Sequence, residues 1–359
     1  MEYTNISKLS ILLTSFFVIS SILTAVIVPL IISIGKKFKI YDIPNKRSQH
    51  STPLVRIGGL AIYLGFSLTC LISIWLCKIN SISMDDYYFI ALLISFLIMM
   101  IGFIDDLNSL SPLLRLVFQF ILSFFVWSSS IKIEALQNSF IAFLPEYIIL
   151  PKLVSLLITL IWIAGVINAI NWFDGLDGMA AGVAIIIGTV LLIISVYSNQ
   201  LSNAILSSSL IGACLGYLKF NLNPSRIMMG DCGSYLIGFL LAFISLNATS
   251  NVITINNEYL KTINVLIPFL CLGLPILDMT RVILVRLTQG NSAFLPDREH
   301  IHHRLLDLGF NEKETLMIVC SSTLLLSSLA LINLNIEIGN FLVMIGLCTL
   351  LFFAIKKLY

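Results

Sequence analysis

The chain has 359 residues, 58% of them hydrophobic and only 11% charged, with a formal net charge of +2. Soluble domains carry about a quarter charged residues. With a mean hydropathy of +0.99, the composition excludes a soluble globular domain, and the near-neutral charge offers nothing to attract a nucleic acid.

Apolar runs of roughly the 20 residues needed to cross a bilayer as helix occur at 9–34, 57–77, 87–104, 112–131, 149–167, 179–197, 203–220, 234–249, 262–284, 315–334 and 339–355. These predict an all-α, polytopic membrane protein of about eleven transmembrane helices, forming a single domain over 1–359. The first run exceeds a signal-peptide core, and no small-residue cleavage site precedes Lys36, Lys37 and Lys39, so it is read as a retained helix. The seven cysteines form no Cys-x-x-Cys pair and read mainly as small buried hydrophobes.

Lysine and arginine set the predicted orientation. With the N-terminus outside, the outer connections hold only Lys8, Lys78, Lys132, Lys152 and Lys261 of the 21 basic residues. The same parity, applied to residues that did not set it, gathers His50, His300, His302, His303, Asp105, Asp106, Asp174, Asp177 and Asp231 on the inner side. The outer connections read as short and featureless. The polar chemistry therefore faces the cytoplasm, where nucleotides are available.

In chain order, the first inner loop runs from Asp42 through Pro44, Arg47, His50 and Arg56 to Gly58 and Gly59. Its basic groups beside a Gly-Gly, which permits close backbone approach, suit an anionic ligand; Lys36, Lys37 and Lys39 read as positive-inside anchors. Asp105 and Asp106 end an apolar helix, where they repel each other and oppose the negative end of the helix dipole. A cation would relieve both costs.

Asn168 to Gly178 is the strongest motif: Asn171, Asp174 and Asp177 recur at three-residue steps, with no Lys or Arg in the segment. Uncompensated carboxylates at a membrane boundary are costly without a function. In the run Asn221 to Ser234, Gly230 and Gly233 frame Asp231, an oxygen ligand of the kind Mg²⁺ prefers. The last inner loop carries His300, His302, His303 and Arg304. Without a cysteine or a fixed fourth ligand these do not make a zinc site; with Arg298 and Arg304 they suit a diphosphate. Asp278 lies inside a span, with Arg281 one turn on, and reads as a helix-paired structural acid. A cation-coupled transporter is the rival of another class, but it expects acids at mid-span, and here only Asp278 qualifies.

The ordered set Asp-x-Pro…His…Arg-x-Gly-Gly, Asp-Asp, Asn-x-x-Asp-Gly-Leu-Asp-Gly, Asn-x-x-Pro-x-x-x-x-Met-Gly-Asp-x-Gly-Ser and His-Ile-His-His-Arg-Leu resembles the polyprenyl-phosphate N-acetylhexosamine-1-phosphate transferases over about residues 36–310. The resemblance implies transfer of a sugar-1-phosphate from a UDP-sugar to a polyprenyl phosphate, releasing UMP and initiating cell-envelope polysaccharide synthesis. It implies Mg²⁺, with Mn²⁺ as a substitute. A second copy of the chain is a candidate partner.

By the same resemblance, Asp105 and Asp106 activate the lipid phosphate, with Asp105 open to roles as base or covalent nucleophile. Asp231 and Asp174 hold the metal. Asn171, Asp174 and Asp177 line the site, and Asn221 contacts the nucleotide. His300, His302, His303 and Arg304, with Arg47, His50 and Arg56, bind substrate. The Arg47-Ser48-x-His50 stretch is similar to a branch that handles modified deoxy sugars for O-antigen, and Cys232 stands where threonine is common in the family.

Overall fold

A computed structural model describes residues 3–43, 53–129, 133–137, 145–255, 258–293 and 298–358. Among these, ten helices are long and apolar enough to cross a membrane. They are α1 (Tyr3–Lys37), α2 (Gly59–Ile79), α3 (Asp86–Asn108), α4 (Pro112–Ser129), α5 (Lys152–Phe173), α6 (Met179–Tyr197), α7 (Leu201–Asn221), α8 (Gly230–Ala248), α12 (Glu312–Asn333) and α13 (Ile338–Leu358). Helix is the form that satisfies every backbone polar group within one crossing segment. The chain is therefore a multi-pass membrane protein. Rows of exposed apolar side chains, such as Ile11, Val18, Ile22 and Val26 on α1, give the bundle its lipid-facing surface.

The expected span at 262–284 is corrected by the structure. Strand persists to Asn264, and the helix then comes in two pieces, α9 (Leu266–Cys271) and α10 (Gly273–Thr288). Pro275 supplies no N–H to the carbonyl of Cys271, so the ladder is interrupted there. The two pieces run along α5: Phe269 packs on Trp162 in its middle, while Arg286 stacks over Trp172 at its end.

The connections expected on the outer side are likewise not featureless. Strands β3 (Ala135–Gln137), β4 (Tyr147–Ile149), β5 (Ser250–Ile255) and β6 (Glu258–Asn264) form a sheet ordered β4-β3-β6-β5, with β3 parallel to β6 and the other pairs antiparallel. Chain order puts this sheet at the end of the bundle opposite the acid-bearing turns.

Buried along its whole length, α8 forms the axis of the bundle, with α2, α3, α5, α6 and α7 packed around it. Small residues allow the closest approaches. A Cβ on Gly212 or Gly216 of α7 would lie 2.3 Å from the carbonyl oxygens of Phe17 or Ser21 in α1, the small-xxx-small packing of membrane helices. Ser20 donates across this seam to the carbonyl of Ser209, and Ser208 to that of Leu13. At the acid-bearing end, Gly59 meets Gly233 backbone to backbone, which brings the start of α2 onto the start of α8.

Candidate active site

Four turns converge at the N-terminus of α8. Strand β2 (Leu54–Val55) pairs antiparallel with β1 (Tyr41–Asp42) on one side and bridges to Ile227 on the other. The pairing continues through Met228 N to Val55 O (2.8 Å), Gly58 N to Met228 O (2.9 Å) and Gly59 N to Met229 O (2.8 Å). This ladder sets Arg56 opposite Asp231. Gly230 sits at φ +73, and a Cβ there would lie 2.1 Å from the Arg56 carbonyl oxygen, so only glycine fits the turn that starts α8.

Asp106 closes the same turn from α3. Its Oδ1 accepts from Asp231 N (2.8 Å) and from Arg56 Nε (2.9 Å), and its Oδ2 accepts from Cys232 N (3.0 Å). The side chain is 0% exposed. Asp106 thus caps the positive end of α8. Asp231 faces the open side: Arg56 Nη2 donates to its Oδ2 (2.9 Å) and Asn171 Nδ2 to its Oδ1 (2.6 Å), with Asn171 also donating to Ser234 Oγ (2.9 Å). Burial works against the Arg56 charge, but Asp231, Asp106 and Asp42 outweigh it and raise its pKa above the ordinary value.

Asp105 points the other way. Its Oδ2 accepts from Arg115 Nη1 (3.1 Å) and Tyr235 Oη (2.9 Å), and its Oδ1 from Leu110 N (2.7 Å). The neighbouring acids therefore do not share one cation. Arg115 balances one, and Arg56 with the α8 terminus balances the other.

In the α5–α6 turn, Asp177 Oδ2 accepts from Ser225 N (3.2 Å), which ties that turn to the one before α8. Asp174 accepts no hydrogen bond among the described residues. Burial, then Asp231, Asp177 and Asp106, push its carboxyl up to about 7 against the opposing pull of Arg56. It is the uncommitted carboxylate of the cluster. Asn221 lies behind the turn, with its Oδ1 accepting from Gly178 N (2.9 Å) and its Nδ2 donating to Ile227 O (3.0 Å).

The histidine run lies on α11 (Ile301–Asp307), with His300 at its N-cap. His302 is buried under the α5–α6 turn, where a Cβ on Gly175 would come within 2.2 Å of its Nε2. Burial, then His303 and His300, lower its pKa to about 3. His300 stacks parallel to His302 at 5.8 Å and meets Trp172 edge-on at 6.0 Å. Arg304 is exposed on α11. The structure thus gathers Arg56, Asp106, Asn171, Asp174, Asp177 and Asp231 around one mouth, with His300 and His302 in its wall. Arg47 and His50 lie outside the described residues.

Asp278 does not pair with Arg281, which instead donates to the carbonyl oxygen (2.7 Å) and Oε2 (3.3 Å) of Glu299. Its partner is His300, as described below. The reading from residue order also missed Arg115 and Tyr235. Arg115 left a signal, being the lone charge between Ser109 and Ile131; Tyr235 left none.

Among the described residues no three His, Cys, Asp or Glu side chains form a closed cage for a metal. The donor set is nonetheless one that suits Mg²⁺. That ion takes one or two carboxylates and completes its shell with waters and substrate phosphates, and here Asp231, held by Arg56 and Asn171, lies within electrostatic reach of Asp174, which accepts no hydrogen bond among the described residues.

The chain is similar to known proteins of one kind. The model of glycosyl transferase family 4 matches residues 88–249, from α3 through the end of α8. A decaprenyl-phosphate N-acetylglucosaminephosphotransferase of Mycobacterium leprae is 31% identical over 77% of this chain and 72% of its own length. A probable undecaprenyl-phosphate N-acetylglucosaminyl 1-phosphate transferase of Bacillus subtilis is 29% identical over 84% and 80%, respectively. The Escherichia coli K12 undecaprenyl-phosphate alpha-N-acetylglucosaminyl 1-phosphate transferase is 28% identical over 83% and 78%. With its acid turns inside the matched region and relatives of one kind along most of its length, the chain belongs to the polyprenyl-phosphate N-acetylhexosamine-1-phosphate transferases of glycosyl transferase family 4.

Proposed function

We propose that this chain transfers N-acetylglucosamine-1-phosphate, or a related N-acetylhexosamine-1-phosphate, from its UDP-sugar to a polyprenyl phosphate at the cytoplasmic face of a bacterial inner membrane. The observation that carries the reading is the convergence of Asp174, Asp177 and Asp231 with Asn171 and Arg56 at one end of the bundle. The clustering of Lys and Arg on the same end supports the cytoplasmic orientation.

In this reading Asp174 and Asp231 would hold Mg²⁺. The ion, when bound, supplies charge neutralisation for the leaving UMP. Asn171 and Arg56 orient Asp231. The lipid phosphate attacks the phosphorus attached to the sugar, one phosphoanhydride replaces another, and UMP leaves. The second pKa of a phosphate monoester is about 6, so the attacking group is mostly dianionic at neutral pH and little proton removal is required. Asp105, closed in by three donors, serves to hold Arg115 rather than to attack. Arg115, in the first turn of α4 beside exposed Leu113 and Leu114, is placed to receive a lipid phosphate. An apolar cavity of about 320 Å³, bounded in part by Ile158, Trp162, Gly165, Phe269, Ile276 and Met279, reaches the residue next to Asp278 and suits a polyprenyl tail.

The test is UMP release by the purified chain with undecaprenyl phosphate and a panel of UDP-sugars that includes modified deoxy sugars, with and without EDTA. UMP from an N-acetylhexosamine donor, abolished by EDTA, is expected. Release only from a deoxy-sugar donor would move the chain to the O-antigen branch, and no release from any donor would overturn the reading. A thermal shift with Mg²⁺ alone, lost in Asp174→Asn, reports the metal site without turnover.

A further inference from the structure

An ionisable residue inside a crossing segment calls for a named partner. The cheapest partner for Asp278 was Arg281, one turn along α10, but Arg281 is spent on Glu299. Both oxygens of Asp278 turn instead to the start of α11. Oδ2 lies 2.7 Å from His300 Nδ1, and Oδ1 accepts from Ile301 N at 2.8 Å. Both side chains are buried. Trp172 holds the imidazole edge-on at 6.0 Å, and the Arg286 guanidinium lies over the Trp172 ring at 5.0 Å. Trp172 follows Asn171 directly and precedes Asp174 by two residues, so the ring that braces His300 is fixed to the acid-bearing turn itself.

A carboxylate on Nδ1 fixes the orientation of the ring. It leaves Nε2, on the opposite edge, uncommitted to the fold among the described residues. A purely structural acid at this position would need only Ile301 N, to cap α11. The second oxygen on Nδ1 is the part of the geometry that capping leaves unexplained.

We infer that Asp278 is a positioning residue of the transfer reaction, holding His300 so that the Nε2 edge of its ring faces the sugar-nucleotide donor. No bond is made or broken in this step; the pair supplies one oriented hydrogen bond to the donor. The inference rests on the reading that the His300 loop faces the donor diphosphate.

The test is a double-mutant cycle on the full-length enzyme in detergent, with UDP-N-acetylglucosamine and undecaprenyl phosphate, reading KM for each substrate and kcat separately. His300→Ala should raise KM for the nucleotide sugar on the order of tenfold and leave KM for the lipid unchanged. Asp278→Ala should do the same, and adding it to His300→Ala should cost less than twofold more. Asp278→Asn, which keeps an acceptor for Nδ1–H, should fall between wild type and Asp278→Ala. If Asp278→Ala does not fold, Asp278→Asn crossed with His300→Gln carries the same cycle. Independent, multiplying effects would overturn the positioning role while leaving the reading of His300 intact. A wild-type nucleotide KM in His300→Ala would overturn both. Absence of UMP from the wild-type enzyme would reject the transferase reading itself.

Discussion

Asp106→Asn should behave as a destabilising change, although it preserves size and shape. Every hydrogen bond Asp106 makes is one it accepts: from Asp231 N and Arg56 Nε on Oδ1, and from Cys232 N on Oδ2. An asparagine offers one oxygen. Whichever way the amide turns, its NH₂ faces a donor, and at least one buried donor loses its acceptor at about 1–3 kcal/mol. The cost is therefore roughly 1–3 kcal/mol. For large domains about 2–4 °C accompanies each kcal/mol, so the unfolding midpoint should fall by several degrees. Asp174→Asn is the matched comparison. No donor faces Asp174 among the described residues, and its carboxyl is already pushed up to about 7 by burial and by Asp231, Asp177 and Asp106. A neutral amide should therefore leave the midpoint unchanged or higher while abolishing turnover. Tryptophan-fluorescence melts in one detergent at pH 7 with EDTA, at one scan rate, would be read beside UMP release. The reasoning fails if Asp106→Asn melts with wild type, or if Asp174→Asn falls as far as Asp106→Asn.

Three further outcomes follow from the geometry. Gly175→Ala puts a Cβ against His302 Nε2; the turn carrying Asp174 must move, at a cost of about 1–3 kcal/mol, and kcat measured on folded enzyme should drop at least as clearly as the melting midpoint. His302 titrates far below its ordinary 6.5, at about 3, because burial disfavours its charged form. The unfolded chain then binds more protons between those values, so this contribution is whole above pH 6.5 and is lost as pH falls toward 3. At pH 5 the loss is about 2 kcal/mol, and the gap between melts at pH 7.5 and pH 5 should narrow in His302→Gln. Asn311 and Glu314 form a reciprocal capping box at the start of α12; Asn311→Ala should cost about 0.5–2 kcal/mol with no change in turnover per folded molecule, which circular dichroism melts and the UMP assay would check together.

The membrane spans and the acid turns were legible from residue order because each depends on local information. A run of some twenty apolar residues commits a segment to cross, whatever its neighbours do, and carboxylates without a nearby base announce themselves. What could not be read were the partners. Nothing near Asp231 in the chain points to Arg56, because the β1–β2 ladder and the Val55–Ile227 bridge bring them together across 175 residues. The same applies to Tyr235 on Asp105, 130 residues away. Arg281 looked like the mate of Asp278 by helical spacing, but the folded loop offered it Glu299 and gave Asp278 a histidine. The interruption near Leu272 was visible in principle from Pro268 and Pro275. Hydropathy averages over such residues, so the window 262–284 read as one helix and hid both the break and the strand before it.

The seam between the first and seventh helices has a consequence for biogenesis. The first helix leaves the ribosome about 160 residues before the seventh begins, which at bacterial elongation rates of about 5–20 residues per second is roughly 8–30 s. Throughout that interval Ser20 and Thr24, which end fully enclosed, stand in the bilayer with the glycine-bearing partner still unsynthesised. Insertion of the leading segment must therefore be secured by its own aliphatic length and its trailing lysines. Lateral docking onto the later helix is a separate, delayed event, and a bulky residue at Gly212 or Gly216 would arrest maturation at that second stage without impeding the first.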